Sequence, residues 1–263
     1  MIEPLLNIEH VTKRFDGLTA VQDVSFSVPR AAITAVIGPN GAGKTTLFNL
    51  ISGFHRADQG RIVFAEQEIT NSSPEQVARI GIIRTFQITR LFRQMTALQN
   101  VLVGFHLSTR GNVLAALLRR RWFREQDRCI EAEGRRLLEI VGLAGLADTL
   151  AANLTGGQNR LLEVARALAA KPKLLMLDEP AAGLNASETA ELMRLVRDVR
   201  EQGMTVLLVE HDMKLVMDLA DEVQVLDFGR RIAGGNPALV QSHPAVIEAY
   251  LGAGSHPKEA YHA

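Results

Sequence analysis

A glycine-rich segment early in the chain has the residue types needed to hold a polyphosphate. It satisfies the pattern G-x-x-x-x-G-K-[ST] and comprises Gly38, Pro39, Asn40, Gly41, Ala42, Gly43, Lys44, Thr45 and Thr46. Its glycines let backbone N–H groups face phosphate oxygens, aided by the positive end of the helix that follows. We expect Lys44 to reach the β- and γ-phosphates and Thr45 to ligate Mg²⁺. The segment, called the P-loop below, predicts ATP as ligand; a glycine-rich turn without a ligand is the alternative.

Two adjacent acids follow a second apolar run. Residues 174–177 are all apolar, and Asp178 and Glu179 come next. Burying such acids without a metal or a hydrogen-bond donor is costly, so we expect them at the carboxyl end of a strand, beside the phosphates. Asp178 would hold Mg²⁺ through its water shell, and Glu179 would polarise the water that attacks the γ-phosphate. Alternatively, the acids cap the loop before Pro180.

Strand-like and helical patterns alternate along the chain. Short strands are predicted at 5–11, 20–28, 32–37, 61–65, 82–86, 173–178, 204–209 and 222–227. A helix follows from about Lys44, and a helix-rich block spans roughly 97–170. This alternation predicts an α/β fold with a mainly parallel sheet, and the block from about 88 to 165 looks like an inserted helical subdomain. We expect residues 253–263 to form a frayed tail.

Composition excludes several classes of function. The 29 basic and 29 acidic residues balance, so the global positive charge of a nucleic-acid-binding protein is absent. Cys129 is the only cysteine, which excludes an intramolecular disulfide and a thiolate metal cluster. The amino terminus lacks a signal-peptide pattern, and no apolar run approaches the ~20 residues of a membrane span. We therefore expect a cytoplasmic protein that does not cross a bilayer alone.

A third motif identifies a family. Residues 154–158, called the signature loop below, read Leu-Thr-Gly-Gly-Gln and open an amphipathic helix about twenty residues before Asp178. This resembles the signature motif of ATP-binding-cassette (ABC) ATPases, although Gly-Gly before a helix is ordinary capping chemistry in isolation. The resemblance covers 5–236, with 237–252 as a helical extension. It implies a P-loop NTPase core with a small antiparallel β subdomain and an inserted α-helical subdomain.

The resemblance also implies roles for individual residues. Gln87 matches the Q-loop, which contacts Mg²⁺ and takes part in catalysis, and His211 matches the switch histidine; alone, His211 reads as a structural histidine. Phe15 is similar to the aromatic residue that stacks on adenine, with a core aromatic as the alternative. In this family the signature loop of one subunit completes the ATP site of another. The residues that would do so here are Thr155, Gly156, Gly157 and Gln158.

Two positions depart from the commonest family pattern. Thr155 stands where serine is usual and keeps the hydroxyl. Asn185, at the end of the D-loop match 182–185, stands where aspartate is usual and removes a charge. The second change leaves D-loop coupling uncertain.

Further segments indicate a branch of the family. Residues 85–96, 100–104 and 236–252 resemble the ATPases of branched-chain amino-acid importers, and 107–136 supplies the extra helical residues of the larger ATPase. The resemblance implies a homologous second ATPase subunit, two membrane permeases and an external solute-binding protein, with this chain peripheral at the cytoplasmic face of the inner membrane. An amide or urea importer, a non-transport ABC ATPase and a nucleotide sensor without turnover are the alternatives.

The most basic run of the sequence is 119–124. It could contact phospholipid headgroups or the cytoplasmic helices of a permease. A solvated helix face, interrupted by Glu125 and Asp127, explains the same residues without a partner.

Overall fold

The computed structural model describes residues 4–85, 91–105 and 120–252. The strands are β1 (Pro4–Phe15), β2 (Leu18–Pro29), β3 (Ile33–Ile37), β4 (Gln59–Phe64), β5 (Gln67–Glu68), β6 (Ile82–Arg84), β7 (Leu174–Asp178), β8 (Thr205–Val209), β9 (Glu222–Asp227) and β10 (Arg230–Gly235). The helices are α1 (Lys44–Ile51), α2 (Pro74–Ile80), α3 (Ala97–Gly104), α4 (Arg120–Ile140), α5 (Gly156–Ala169), α6 (Ala186–Glu201), α7 (Met213–Leu219), α8 (Pro237–Gln241) and α9 (Pro244–Gly252). The chain forms two compact units, Met1–Ser72 with Leu207–Ala263, and Ser73–Val206.

The first unit contains an antiparallel sheet with strand order β2-β1-β4-β5. Alternate residues of β2 turn toward a core, where Val24, Phe26 and Val28 are buried. This period of two is the pattern of a strand with one covered face. The sheet is the small antiparallel part that the sequence predicts.

The same unit contains the strand that carries the P-loop. All five residues of β3 are buried, as expected of a strand covered on both faces. β3 pairs in parallel with β9, from Thr34 opposite Glu222 to Ile37 opposite Val225, and β10 runs antiparallel to β9. The P-loop begins directly after β3 and leads into α1.

The second unit joins a parallel strand pair to helices. β6 pairs in parallel with β7, beginning with Ile82 opposite Leu174. α3 packs so closely on α5 that a Cβ built on Gly104 would lie 2.2 Å from the Arg166 carbonyl oxygen. Asn100 is fully buried and donates from Nδ2 to the carbonyls of Phe92 and Thr96, both at 3.0 Å. These bonds hold the loop that leads into α3.

Mainly parallel strands, an antiparallel sheet and packed helices confirm the α/β fold class. Two strands were missed: β5 has two residues, and β10 reads Arg-Arg-Ile-Ala-Gly-Gly, in which arginine, alanine and glycine weaken the strand pattern. β6 ends at Arg84, earlier than the predicted 82–86. The domain boundaries stay a prediction. Within the described ranges, no helix is both long enough and apolar enough to span a membrane.

Candidate nucleotide site

The P-loop requires glycine at two positions where its backbone approaches other strands. Gly38 has φ 150°, and a Cβ built there would lie 2.0 Å from the Leu226 carbonyl oxygen. Gly43 has φ 97°, and its Cβ would lie 2.3 Å from the Ala20 carbonyl oxygen. Any other residue would both strain the backbone and clash with a neighbouring strand. Tertiary packing therefore requires these two glycines.

The ammonium of Lys44 is held over the loop. Lys44 is buried, and its Nζ donates to the carbonyl oxygens of Gly38 at 2.6 Å and Pro39 at 3.0 Å. An ammonium in this position adds positive charge to the backbone N–H groups and the amino-terminal end of α1. Thr45 is exposed and presents its hydroxyl on the first turn of α1. The first unit thus offers donors for phosphate and an oxygen suited to Mg²⁺.

Phe15 lies at the end of β1 with an accessible ring. It is 38% exposed, so it is not a core aromatic. His55 packs edge-on against it, with ring centroids 5.2 Å apart and planes at 72°. The Lys13 Nζ lies 5.2 Å from the ring centroid. The ring therefore has the partial exposure that base stacking requires.

Asp58 fixes the end of β1 that carries Phe15. Its carboxylate accepts from the Arg14 N–H at 2.7 Å and from the Lys13 Nζ at 3.0 Å. The Arg14 amide, followed by the Lys13 ammonium, lowers the pKa of Asp58 below its ordinary value of 3.8. The pKa of Asp58 is lower in the folded protein than in the unfolded chain. The stabilisation is therefore present when the pH is above 3.8, and it is lost as the pH falls through the lowered pKa.

We therefore expect Asp58→Asn to lower the melting temperature slightly at neutral pH, with the difference from wild type shrinking below about pH 4. Thermal denaturation over a pH series would measure it. Asp198→Asn, at an exposed position on α6, is the control and should show no such trend. A difference in melting temperature between wild type and Asp58→Asn that stays constant down to about pH 2.5 would contradict the role of the Asp58 carboxylate.

His211 follows β8 in the first unit. Its side chain is 61% exposed, whereas the neighbouring Glu210 is 1% exposed. One Glu210 oxygen accepts from the His211 N–H at 3.2 Å and lies 3.8 Å from its Nδ1. The exposed imidazole of His211 is accessible to a ligand, and the buried Glu210 lies next to it.

The second unit contains the adjacent acids. Asp178 is the last residue of β7 and is buried against Arg84, whose Nη2 donates to its Oδ2 at 2.6 Å. Glu179 follows with φ 45°, a left-handed conformation that is uncommon outside glycine. Strain of this kind often marks functional positions. The turn gives the two adjacent carboxylates different environments, one buried and paired, the other half-buried.

The signature loop begins α5 through a reciprocal cap. The Thr155 hydroxyl accepts from the Gln158 N–H at 3.2 Å, and the Gln158 side chain accepts from the Thr155 N–H at 3.0 Å. Thr155 and Gly156 are exposed, while Gly157 is buried. A Cβ built on Gly157 would lie 2.3 Å from a Glu188 side-chain oxygen, so this glycine allows close packing against α6.

Asn185 also caps a helix. Its Oδ1 accepts from the N–H groups of Ser187 at 2.9 Å and Glu188 at 3.0 Å, at the start of α6. Asparagine supplies this oxygen as well as aspartate does. Gln87, the predicted Q-loop residue, lies outside the described residues, as does Arg119; the structure describes only the helical backbone of 120–124.

Two family models match the chain. The model described as ABC transporter matches residues 21–182, and the model described as branched-chain amino acid ATP-binding cassette transporter matches 230–256. The first spans more than half of the chain and includes the P-loop, the signature loop, Asp178 and Glu179.

The chain belongs to the ABC transporter ATPase family. A Pseudomonas aeruginosa relative, the high-affinity branched-chain amino acid transport ATP-binding protein BraF, is 44% identical, with 96% of this chain and 99% of the relative covered. The Escherichia coli protein LivG, of the same description, is 42% identical with the same coverage. The solved structure of an ABC transporter cassette in its ADP conformation has a TM-score of 0.83 at 35% identity, covering 95% of this chain and 99% of the other.

Arg84 is the site residue of this ABC ATPase that sequence reasoning missed. It lies three positions before Gln87, the predicted Q-loop residue. Its contact with Asp178 arises because β6 and β7 pair in parallel, with Arg84 opposite Met176. The sequence does show a basic residue at the end of one strand and an acid at the end of another. Only the pairing of these two strands shows that the two side chains meet.

Proposed function

We propose that this ABC ATPase hydrolyses ATP to power the import of branched-chain amino acids across a membrane. The match of residues 230–256 to the branched-chain amino acid cassette model carries the proposal, since this segment lies outside the part matched to ABC transporters in general. BraF and LivG are named for that transport.

The P-loop is proposed to bind the phosphates of ATP. Its N–H groups and Lys44 supply donors, and the ammonium exchanges the carbonyls of Gly38 and Pro39 for phosphate oxygens. Phe15 stacks on the adenine. Thr45 and Asp178 offer a hydroxyl and a carboxylate oxygen, the ligand types that Mg²⁺ takes alongside phosphates and water. Magnesium, when bound, neutralises phosphate charge; Gln87 is proposed to contact it as well.

Glu179 is proposed to accept the proton of the attacking water. Arg84 neutralises Asp178, whereas Glu179 lies beyond it on the strained turn. One acid is therefore positioned for electrostatic support and the other for proton transfer. His211 is proposed to contact the γ-phosphate through its exposed imidazole, while Glu210 accepts from its backbone N–H. Gln87 is proposed to assist in the same step.

The signature loop is proposed to bind the ATP held by a homologous second ATPase subunit. Thr155 and Gly156 are exposed at the amino-terminal end of α5, a 14-residue helix whose dipole favours an anion. The working motor is thus a dimer with two ATP molecules.

The second unit also offers a surface for membrane subunits. Phe92, Met95 and Leu150 are 48%, 37% and 39% exposed, and the Ala151 N–H donates to the Met95 carbonyl at 2.9 Å. These three side chains are exposed and apolar, and Phe92 and Met95 follow the predicted Q-loop in the sequence. We propose that two permeases bind ABC ATPases through such side chains at the cytoplasmic face of the plasma membrane, and that an external binding protein delivers the solute.

The proposal is tested by reconstituting the ATPase with its co-purified membrane subunits and binding protein in vesicles. Leucine, isoleucine or valine should each stimulate ATP hydrolysis severalfold over solute-free vesicles. Stimulation by an amide or urea, with none by these amino acids, would instead support the related importers. Hydrolysis that no solute affects would favour a non-transport ATPase, and ATP binding without turnover would favour a nucleotide sensor.

A further inference from the structure

The second unit buries two side chains of opposite charge against each other. The side chains of Arg84 and Asp178 are 6% and 7% exposed, and the Arg84 Nη2 donates to the Asp178 Oδ2 at 2.6 Å. Taking both charges out of water is costly, and a well-packed apolar pair of similar volume is often at least as stable. Stability alone therefore does not explain why these two residues stand here.

The strand that carries Arg84 is bonded to β7 up to and beyond this residue. Arg84 lies opposite Met176, and the Thr85 N–H donates to the Met176 carbonyl at 2.9 Å. Side chains alternate between the two faces of a sheet, so Met176 and Asp178 share a face, with Asp178 roughly 7 Å further along β7. The arginine side chain spans this distance from a backbone that is already fixed. Its guanidinium therefore has a defined place at the end of β7.

The contact controls the direction of the Asp178 carboxylate. A guanidinium donates from a rigid planar fork, which fixes its partner more narrowly than the single point charge of a lysine does. Arg84 bonds to Oδ2, so Oδ1 is the oxygen left to meet the water shell of Mg²⁺ in the proposed role of Asp178. Groups that orient a metal-binding carboxylate commonly affect metal affinity or activity by about 10- to 100-fold. Arg84 thus orients an acid that the reaction is proposed to use.

The same contact anchors the turn that carries Glu179. Glu179 follows Asp178 directly and has φ 45°, and a residue other than glycine keeps such a conformation only when its surroundings enforce it. On the far side of the turn, the Ala182 N–H donates to the Glu179 carbonyl at 3.1 Å. On the near side, Asp178 is held by Arg84. The strained residue lies between these two contacts, so loosening either one would let the Glu179 side chain move.

We propose that Arg84 is a positioning residue for ATP hydrolysis, which holds Asp178 and, through it, Glu179 in place at the end of β7. This rests on the proposed role of Glu179 as the base. Arg84 acts on the two acids and not on the nucleotide, so its loss should lower turnover and leave ATP binding intact. A displacement of about 1 Å is enough to lower a rate about 10²-fold.

The test compares Arg84→Lys, which keeps the charge but not the planar fork, with Arg84→Met, which removes both. The kcat for ATP should fall about 10-fold in Arg84→Lys and about 100-fold in Arg84→Met. The dissociation constant for ATP, titrated without Mg²⁺, should stay at the wild-type value in both. Arg194→Met, at an exposed position on α6, is the control and should hydrolyse ATP normally. Wild-type turnover in either folded Arg84 variant would overturn the proposal, as would a loss of turnover that only follows a loss of ATP affinity.

A second comparison separates positioning from a general effect on the fold. Removing one partner of a buried ion pair is strongly destabilising, so the melting temperature is measured for every variant. Arg84→Lys keeps the charges paired and carries the test if Arg84→Met does not fold. In the Asp178→Asn background, Arg84→Lys should lower turnover by much less than in wild type, because residues that act through one another are not additive. An undiminished loss in that background would show that Arg84 does not act through Asp178.

The outcomes also separate this inference from the proposed function. An inactive Glu179→Gln protein beside fully active Arg84 variants would refute only the role of Arg84. Wild-type turnover in Glu179→Gln would remove the base on which the inference rests. A wild type that binds no ATP would refute the proposed function itself.

Discussion

Replacing Glu179 with glutamine is expected to lower ATP turnover by about 10²- to 10⁴-fold, the usual contribution of a general base. ATP affinity should stay near the wild-type value, because the amide keeps the size of the side chain and leaves the P-loop intact. ATP that binds without being hydrolysed should accumulate in a closed dimer with the signature loop of the other subunit. Single-turnover hydrolysis, nucleotide titration and size measurement with and without Mg·ATP would test this.

The control for this variant is Glu191→Gln, the same chemical change at an exposed position on α6. It should hydrolyse ATP at the wild-type rate. Wild-type turnover in Glu179→Gln would sink the assignment of Glu179 as the base. Loss of ATP binding together with turnover would instead show that Glu179 supports the fold of its turn, where its φ is 45°.

Lys44→Ala is expected to raise the dissociation constant for ATP by about 10- to 100-fold. Charge-assisted hydrogen bonds contribute about 1.5–3 kcal/mol each, and the Lys44 ammonium lies directly on the loop, bonded to two of its carbonyls. The change also removes the two bonds to Gly38 and Pro39 in the free protein. The melting temperature should therefore be measured beside the ATP titration.

Lys214→Ala, at an exposed position on α7, is the matched control and should bind ATP normally. Lys44→Met keeps most of the side-chain volume while removing the charge, so it separates lost packing from lost electrostatics. Unchanged ATP affinity in a folded Lys44→Met protein would contradict the proposed role of the P-loop. Weak binding in Lys44→Ala alone would assign the effect to packing.

Asn185 stands where most family members have aspartate, and its contacts show what this difference changes. From the sequence, the missing charge left the coupling of the D-loop uncertain. In the structure its Oδ1 accepts two N–H groups at the start of α6, with Glu188 completing the cap. A cap requires an acceptor oxygen and no charge, so the start of α6 is preserved. The coupling itself stays a prediction.

The sequence by itself determined the features that are formed by residues close together in the chain. The P-loop pattern between an apolar strand and a helix predicted ATP, residues 174–179 predicted a strand ending in acids, and the signature loop identified the family that the comparisons show. Each of these features is defined by residues that are close together in the sequence, so it can be recognised before the fold is known.

Only the tertiary structure decided which distant residues support them. Arg84 pairs with Asp178 across 94 positions of the sequence. Gly38 itself is required because the Leu226 carbonyl would occupy the space of a side chain. Such contacts depend on which strands pair and which helices pack together, whereas hydrophobic periodicity shows only that a segment has a buried face and not what covers that face.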